Sequence, residues 1–89
     1  MDILEELRTQ IDAIDNELLA MLAKRQAVVK EVGEYKIKHN LPIFDARREK
    51  YLHEFHKQLS IKYNLSLSFI KELSILIMTE SKRTQRSKE

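Results

Sequence analysis

Arg25 stands where a core leucine belongs. The apolar residues of the first third step by three and four through Leu4, Leu7, Ile11, Ile14, Leu18 and Met21. They resume after Arg25 with Val28, Val32 and Tyr35. That spacing is a heptad seam, by which one helix packs along others. A guanidinium cannot shed its charge, and burying it unpaired is costly. It must meet an anion, either a carboxylate of the protein or a bound acid. Lys36 lies three helical turns further along nearly the same face, so both cations overlook one strip.

Polar groups interrupt two other apolar faces. Arg48 heads the row Arg48, Leu52, Phe55 and Leu59, with Glu49 beside it and Asp45 just before. Ser81 and Gln85, spaced i and i+4, extend the row Ile70, Leu73 and Ile77. Two readings fit. In one, Arg25 and Lys36 pair with Asp or Glu across a helix interface, or extend to water. In the other, cations on two helices and an amide and a hydroxyl on a third surround a bound anion. Arg8, at the edge of the seam, lies about 25 Å along a continuous helix from Arg25. It is either solvated near the helix start or serves a partner chain's site in an antiparallel pair. His53 and His56 are spaced i, i+3 near Glu49, but no fourth ligand is evident, so they read as surface histidines and no metal is expected. Gly-rich phosphate loops, nucleophile elbows and triad spacings are absent from the sequence.

The elements that must position these groups are helices. Asp2 and Glu5 read as a capping box opening the first, which runs from about residue 3 to about residue 38. That is roughly 55 Å at 1.5 Å per residue. A compact chain of this length has a radius of gyration of only about 12 Å. Such a helix must lie along a partner, and a second copy is the economical choice. Gly33 inside it costs about 1 kcal/mol relative to Ala, which points to close packing or to mere tolerance. Pro42 ends the helix, and Asp45 caps a second, about 46–63. Ser66 or Ser68 opens a third, about 67–85. No strand alternation and no internal repeat occurs. The expectation is an all-α chain of one long and two medium helices, a single domain over residues 1–89.

Composition narrows the class. Without cysteine there is neither a disulfide framework nor a thiolate metal site. No apolar run approaches a membrane span and no signal-like start is present, so a soluble cytoplasmic protein is expected, with no membrane partner. The formal charge of +2 owes its excess to Lys82, Arg83, Arg86 and Lys88, read as a solvated end. That tail has no interleaved aromatics, so no nucleic-acid partner is expected. A core from 89 residues is marginal for a lone chain, which again favours oligomerisation.

The chain resembles the all-helical class of chorismate mutases from about Leu4 to Gln85, without a gap. The matching stretches are Leu7-Arg8, Ile14-Asp15, Leu18-Leu19, Leu22-Ala23-Lys24-Arg25 and Glu31-Val32-Gly33 with Lys36. The run from Pro42 through Ile43, Phe44, Asp45, Ala46, Arg47 and Arg48 to Glu49 follows, then Ser81 with Gln85. Each motif alone is weak, and in this order and spacing they are specific. Phe44 departs from the pattern, since relatives often carry a polar or basic residue there.

The resemblance implies an intertwined homodimer that rearranges chorismate to prephenate, on the way to phenylalanine and tyrosine, without a cofactor. Each site would take Arg8 from the partner chain and Arg25, Lys36, Asp45, Arg48, Glu49, Ser81 and Gln85 from its own. The arginines would clamp the two carboxylates, with Ser81 completing a carboxylate contact. Lys36 and Gln85 would donate to the ether oxygen, and Glu49 would accept from the ring hydroxyl, helped by the backbone near Asp45. Two other readings stay open: an isochorismate pyruvate-lyase on the same scaffold, and a non-catalytic helical interaction module whose buried cations are structural.

Overall fold

The computed structural model describes residues 2–86, which form an all-α chain of three helices. Helix α1 spans Ile3–Lys38, α2 spans Ala46–Lys62 and α3 spans Leu67–Arg86. Each start has a side-chain cap. Asp2 Oδ1 accepts from the Glu5 N–H at 2.7 Å, and Asp45 Oδ1 from the Arg48 N–H at 3.0 Å. At α3 the cap is Ser66, whose Oγ accepts from the Phe69 N–H at 3.4 Å. The ends of α1 and α2 share one device. Asn40 and Asn64 adopt positive φ (55° and 54°), and the next residue's N–H bonds back, Leu41 to the Lys36 carbonyl and Leu65 to the Ser60 carbonyl, both at 2.8 Å. This is the Schellman closure, with asparagine tolerating the left-handed position.

Helix α3 lies against both α1 and α2 and joins them. The N-terminal half of α1 projects beyond this contact. The molecule measures 57 × 26 × 16 Å and its radius of gyration is 16.5 Å, well above the ~12 Å of a compact chain of this length. Along the projecting half, Leu7, Ile11, Ile14 and Leu18 are 49–63% exposed. Among the described residues Met78 is the one large apolar side chain that is buried. Burying a large aliphatic side chain contributes about 1.5–3 kcal/mol, and the single chain forgoes most of that gain along α1.

Leu52, Leu59, Ile70 and Ile77 are half-buried on the expected faces, but one apolar position on each stays open. Phe55 and Leu73 are 44% and 38% exposed, while Ser60 and Ser74 are buried between α2 and α3. Small serines let two helices approach, and each hydroxyl is satisfied locally. Ser60 Oγ donates to the Lys57 carbonyl at 2.6 Å, and Ser74 Oγ lies 2.6 Å from His56 Nδ1. His56 is therefore half-buried in the interhelical contact, not a surface histidine. Burial, and then the charges of Arg25, His53 and Arg48, push its pKa down, which favours the neutral ring.

Candidate active site

A crevice of about 250 Å³ opens where the C-terminal half of α1, the loop before α2, the first turns of α2 and the last turns of α3 converge. Arg25 reaches into it from α1 and donates from Nη1 to Ser81 Oγ at 2.5 Å. Ser81 in turn donates its hydroxyl proton to the Ile77 carbonyl at 2.7 Å, so its oxygen is the acceptor for Arg25. One α3 side chain thus holds the guanidinium in place without neutralising it. Lys36 Nζ donates to the Ile43 carbonyl at 2.9 Å and to Gln85 Oε1 at 2.8 Å. Lysine has no acceptor, which fixes the amide of the buried Gln85 with its oxygen towards Lys36 and leaves Nε2 to donate elsewhere.

The electrostatics answer the question Arg25 raised. Its pKa is lowered, first by burial and then by the charge of Arg48, with no carboxylate working the other way. Among the described residues neither Arg25 nor Lys36 makes an ion pair. Four cations line the crevice, Arg25, Lys36, Arg48 and Lys82, against the carboxylates Asp45 and Glu49. Asp45 caps α2, and Glu49 pairs with Lys82 at 3.1 Å. What remains is a partly desolvated positive pocket whose guanidinium rests on a neutral hydroxyl. Val28, Val29, Val32, Leu52 and Met78 supply apolar walls.

Seven of the expected side chains line this one crevice: Arg25, Lys36, Asp45, Arg48, Glu49, Ser81 and Gln85. Arg8 does not. It is exposed on the projecting half of α1, some 25 Å along the helix from Arg25. Lys82 also lines the crevice, a place hidden in the sequence by the basic run that reads as a solvated tail; Lys88 of that tail lies outside the described residues. The Ile43 carbonyl escaped too, because a backbone acceptor leaves no mark in residue types. A larger hollow, about 730 Å³, lies between α2 and α3, but it contains neither Arg25 nor Lys36, so the unneutralised charge belongs to the smaller one. Among the described residues no cluster of three or more His, Asp or Glu is arranged to hold a metal ion.

Residues 7–86 match the family model for chorismate mutase type II. The chain belongs to that family. It is 39% identical over 75 residues to a chorismate mutase of Methanocaldococcus jannaschii, covering 83% of this chain and 76% of that protein. It is 43% identical over 79 residues to a bifunctional chorismate mutase/prephenate dehydratase of Buchnera aphidicola, covering 89% of this chain. Of that longer relative it spans only 20% of the length. Among solved structures, a conserved hypothetical protein from Pyrococcus furiosus superposes with a TM-score of 0.73 at 29% identity, covering 96% of this chain and 97% of that one. The chorismate mutase type II match spans the crevice residues on all three helices and includes Arg8.

Proposed function

We propose that the chain is a chorismate mutase, an isomerase converting chorismate to prephenate as a homodimer. The single observation that carries this reading is Arg25, a half-buried guanidinium without a carboxylate partner among the described residues, in a crevice of net positive charge. The reaction is a [3,3] shift: one C–O bond breaks as one C–C bond forms, and neither protons nor electrons leave the molecule. A protein performing it needs no nucleophile. It must hold a flexible dianion in its compact conformer and stabilise the ether oxygen as negative charge builds.

The crevice suits both tasks. Arg25 and Arg48 present rigid bidentate forks for carboxylates, and Arg8 of a second copy supplies a third. Ser81 orients Arg25 through the observed hydrogen bond. Lys36 and the Nε2 group of Gln85 donate to the ether oxygen, their mutual hydrogen bond fixing both before substrate arrives. Glu49 accepts from the ring hydroxyl, and Asp45 caps the α2 N-terminus beside it. Preorganisation of the reacting atoms is worth about 7–11 kcal/mol, and one donor aimed at a developing oxyanion about 3–4 kcal/mol. The low end of enzymatic acceleration requires about 8 kcal/mol, so these two effects suffice.

The partners in this reading are chorismate and a second copy of the chain, with neither nucleic acid nor membrane. The exposed apolar row of α1 supports the dimer: Leu4, Leu7, Ile11 and Ile14 need a covering helix, and an antiparallel copy would carry Arg8 towards the other crevice. Among the described residues no helix is long and apolar enough to cross a membrane, and we place the reaction in the cytoplasm, as a step towards phenylalanine and tyrosine. The test is the loss of chorismate absorbance on adding the purified chain, with the product identified. Prephenate formed without added cofactor supports the reading. A folded chain that leaves chorismate intact overturns it, and pyruvate released from isochorismate would transfer the site to a lyase.

A further inference from the structure

Lys82 borders the crevice but has no place in the expected site. Its Nζ is 3.1 Å from Glu49 Oε2, with the two side chains 28% and 25% exposed. The same ammonium lies 5.3 Å from the ring centroid of Phe44. One charge therefore ties together three parts of the rim: the last turns of α3, the first turn of α2 and the loop residue before Asp45. A second ion pair, Arg83 with Glu80, is of a different kind. It joins neighbours on one helix, with side chains 76% and 44% exposed.

The competition for Glu49 gives this contact its meaning. Glu49 shares the crevice with Arg25, Lys36 and Arg48. A carboxylate free to swing among three cations would act as an internal counterion and fill the place of a bound anion. It pairs instead with Lys82 at the rim, and Arg25 is left on a neutral hydroxyl. An ionised carboxylate has roughly four acceptor sites, so pairing with Lys82 leaves it able to accept a hydrogen bond from a ligand hydroxyl. Phe44 adds an aromatic face against which the lysine is held.

We propose that Lys82 is a positioning residue for the rearrangement, holding Glu49 at the rim so that the arginine clamp stays open and the carboxylate meets the substrate hydroxyl. The inference rests on the mutase reading above. It assigns Lys82 no contact with the reacting atoms, and it gives Phe44 the task of restraining Lys82.

The experiment compares steady-state turnover of chorismate by the wild-type chain, Lys82→Met, Lys82→Arg, Glu49→Gln and the double variant Glu49→Gln/Lys82→Met, with thermal melts of each. Lys82→Met should lower kcat/KM by about tenfold to a hundredfold, the scale of a reacting group misplaced by an ångström, while the melting temperature stays near wild type. Lys82→Arg should recover most of the loss. In the Glu49→Gln background, Lys82→Met should cost nothing further, because the two residues act as one unit. Wild-type kinetics in Lys82→Met, or an equal fold-loss with and without Glu49, overturns the inference while the active wild-type chain keeps the mutase reading intact. A wild-type chain that forms no prephenate overturns both, and that outcome is visible before any variant is compared.

Discussion

Gly33 and Gln85 touch through their backbones: a Cβ at residue 33 would lie 2.8 Å from Gln85 Cα and 3.0 Å from its carbonyl oxygen. The glycine inside α1 is thus a matter of close packing, at the point where α3 delivers Gln85 to Lys36. Two effects of Gly33→Ala oppose each other. Alanine improves helix propensity by about 1 kcal/mol, whereas forcing an atom into a closed contact costs about 1–3 kcal/mol. The contact is with backbone, which cannot rotate aside, so the second effect wins. Gly33→Ala should lower the melting temperature despite its better propensity. It should lower kcat/KM as well, because α3 must shift beneath Gln85. A thermal melt and a chorismate assay check both.

Arg25 offers a cleaner separation of stability from function. Burial and Arg48 both disfavour its charge, and its partner Ser81 keeps the Ile77 carbonyl when the arginine is removed. Arg25→Met should therefore leave the melting temperature unchanged or raise it, in line with the weak contribution of buried charges to stability. Turnover should fall by at least about a hundredfold, the usual cost of removing one donor from a charge-stabilising site. Arg25→Lys should also lose most activity, since it keeps the charge and loses the fork. A large drop in melting temperature for Arg25→Met would favour a structural cation in a non-catalytic module.

His56 sets an acid limit on stability without touching catalysis. The folded chain holds its pKa below the ordinary value because burial, Arg25, His53 and Arg48 all oppose its protonation. The unfolded chain takes up that proton near pH 6.5. Stability is therefore fully present above about pH 6.5, falls as pH drops below it, and stops falling once the lower folded-state value is passed. His56→Asn, which can still meet Ser74, should flatten the melting temperature across that window. The change should be a few degrees at most, since His56 is only half-buried and about 1 kcal/mol moves the midpoint of a domain this size by roughly 4–8 °C. Turnover should stay flat between about pH 6 and 8, because the rearrangement transfers no proton.

The long seam of α1, with Arg25 and Lys36 on one strip, is legible in the sequence because helical periodicity fixes which residues share a face. Asp2 and Asp45 are legible for a similar reason, as caps act within one turn of their own position. Ser60 and Ser74 are not. A serine buried between helices looks like any polar residue until its hydroxyl finds the Lys57 carbonyl or the His56 ring, and neither bond follows from a period of 3.6. Phe55 and Leu73 carry the spacing of a buried face, and an apolar residue at that spacing reads as core; in the single chain they stay open. Lys82 was hidden by its neighbours. Beside Arg83 and Arg86 it belongs to a basic run, and only the fold shows that it turns towards Glu49 and Phe44.

Arg8 provides the sharpest test of a shared site. It stands apart from the crevice lined by Arg25 in its own chain, separated by about 25 Å of continuous helix, so under the mutase proposal its place is in the site of a second copy. Mix an Arg8→Ala chain with an Arg25→Ala chain. In the heterodimer, the site built on the first chain keeps its own Arg25 and borrows the intact Arg8 of the second. The site built on the second chain lacks both. Each variant alone should be nearly inactive. A fully exchanged equimolar mixture should recover about a quarter of the wild-type turnover, since half the dimers are mixed and each carries one intact site. Heterodimers demonstrated by mass spectrometry that recover no activity would mean that Arg8 does not cross between subunits, and the clamp would then have to be completed from within one chain.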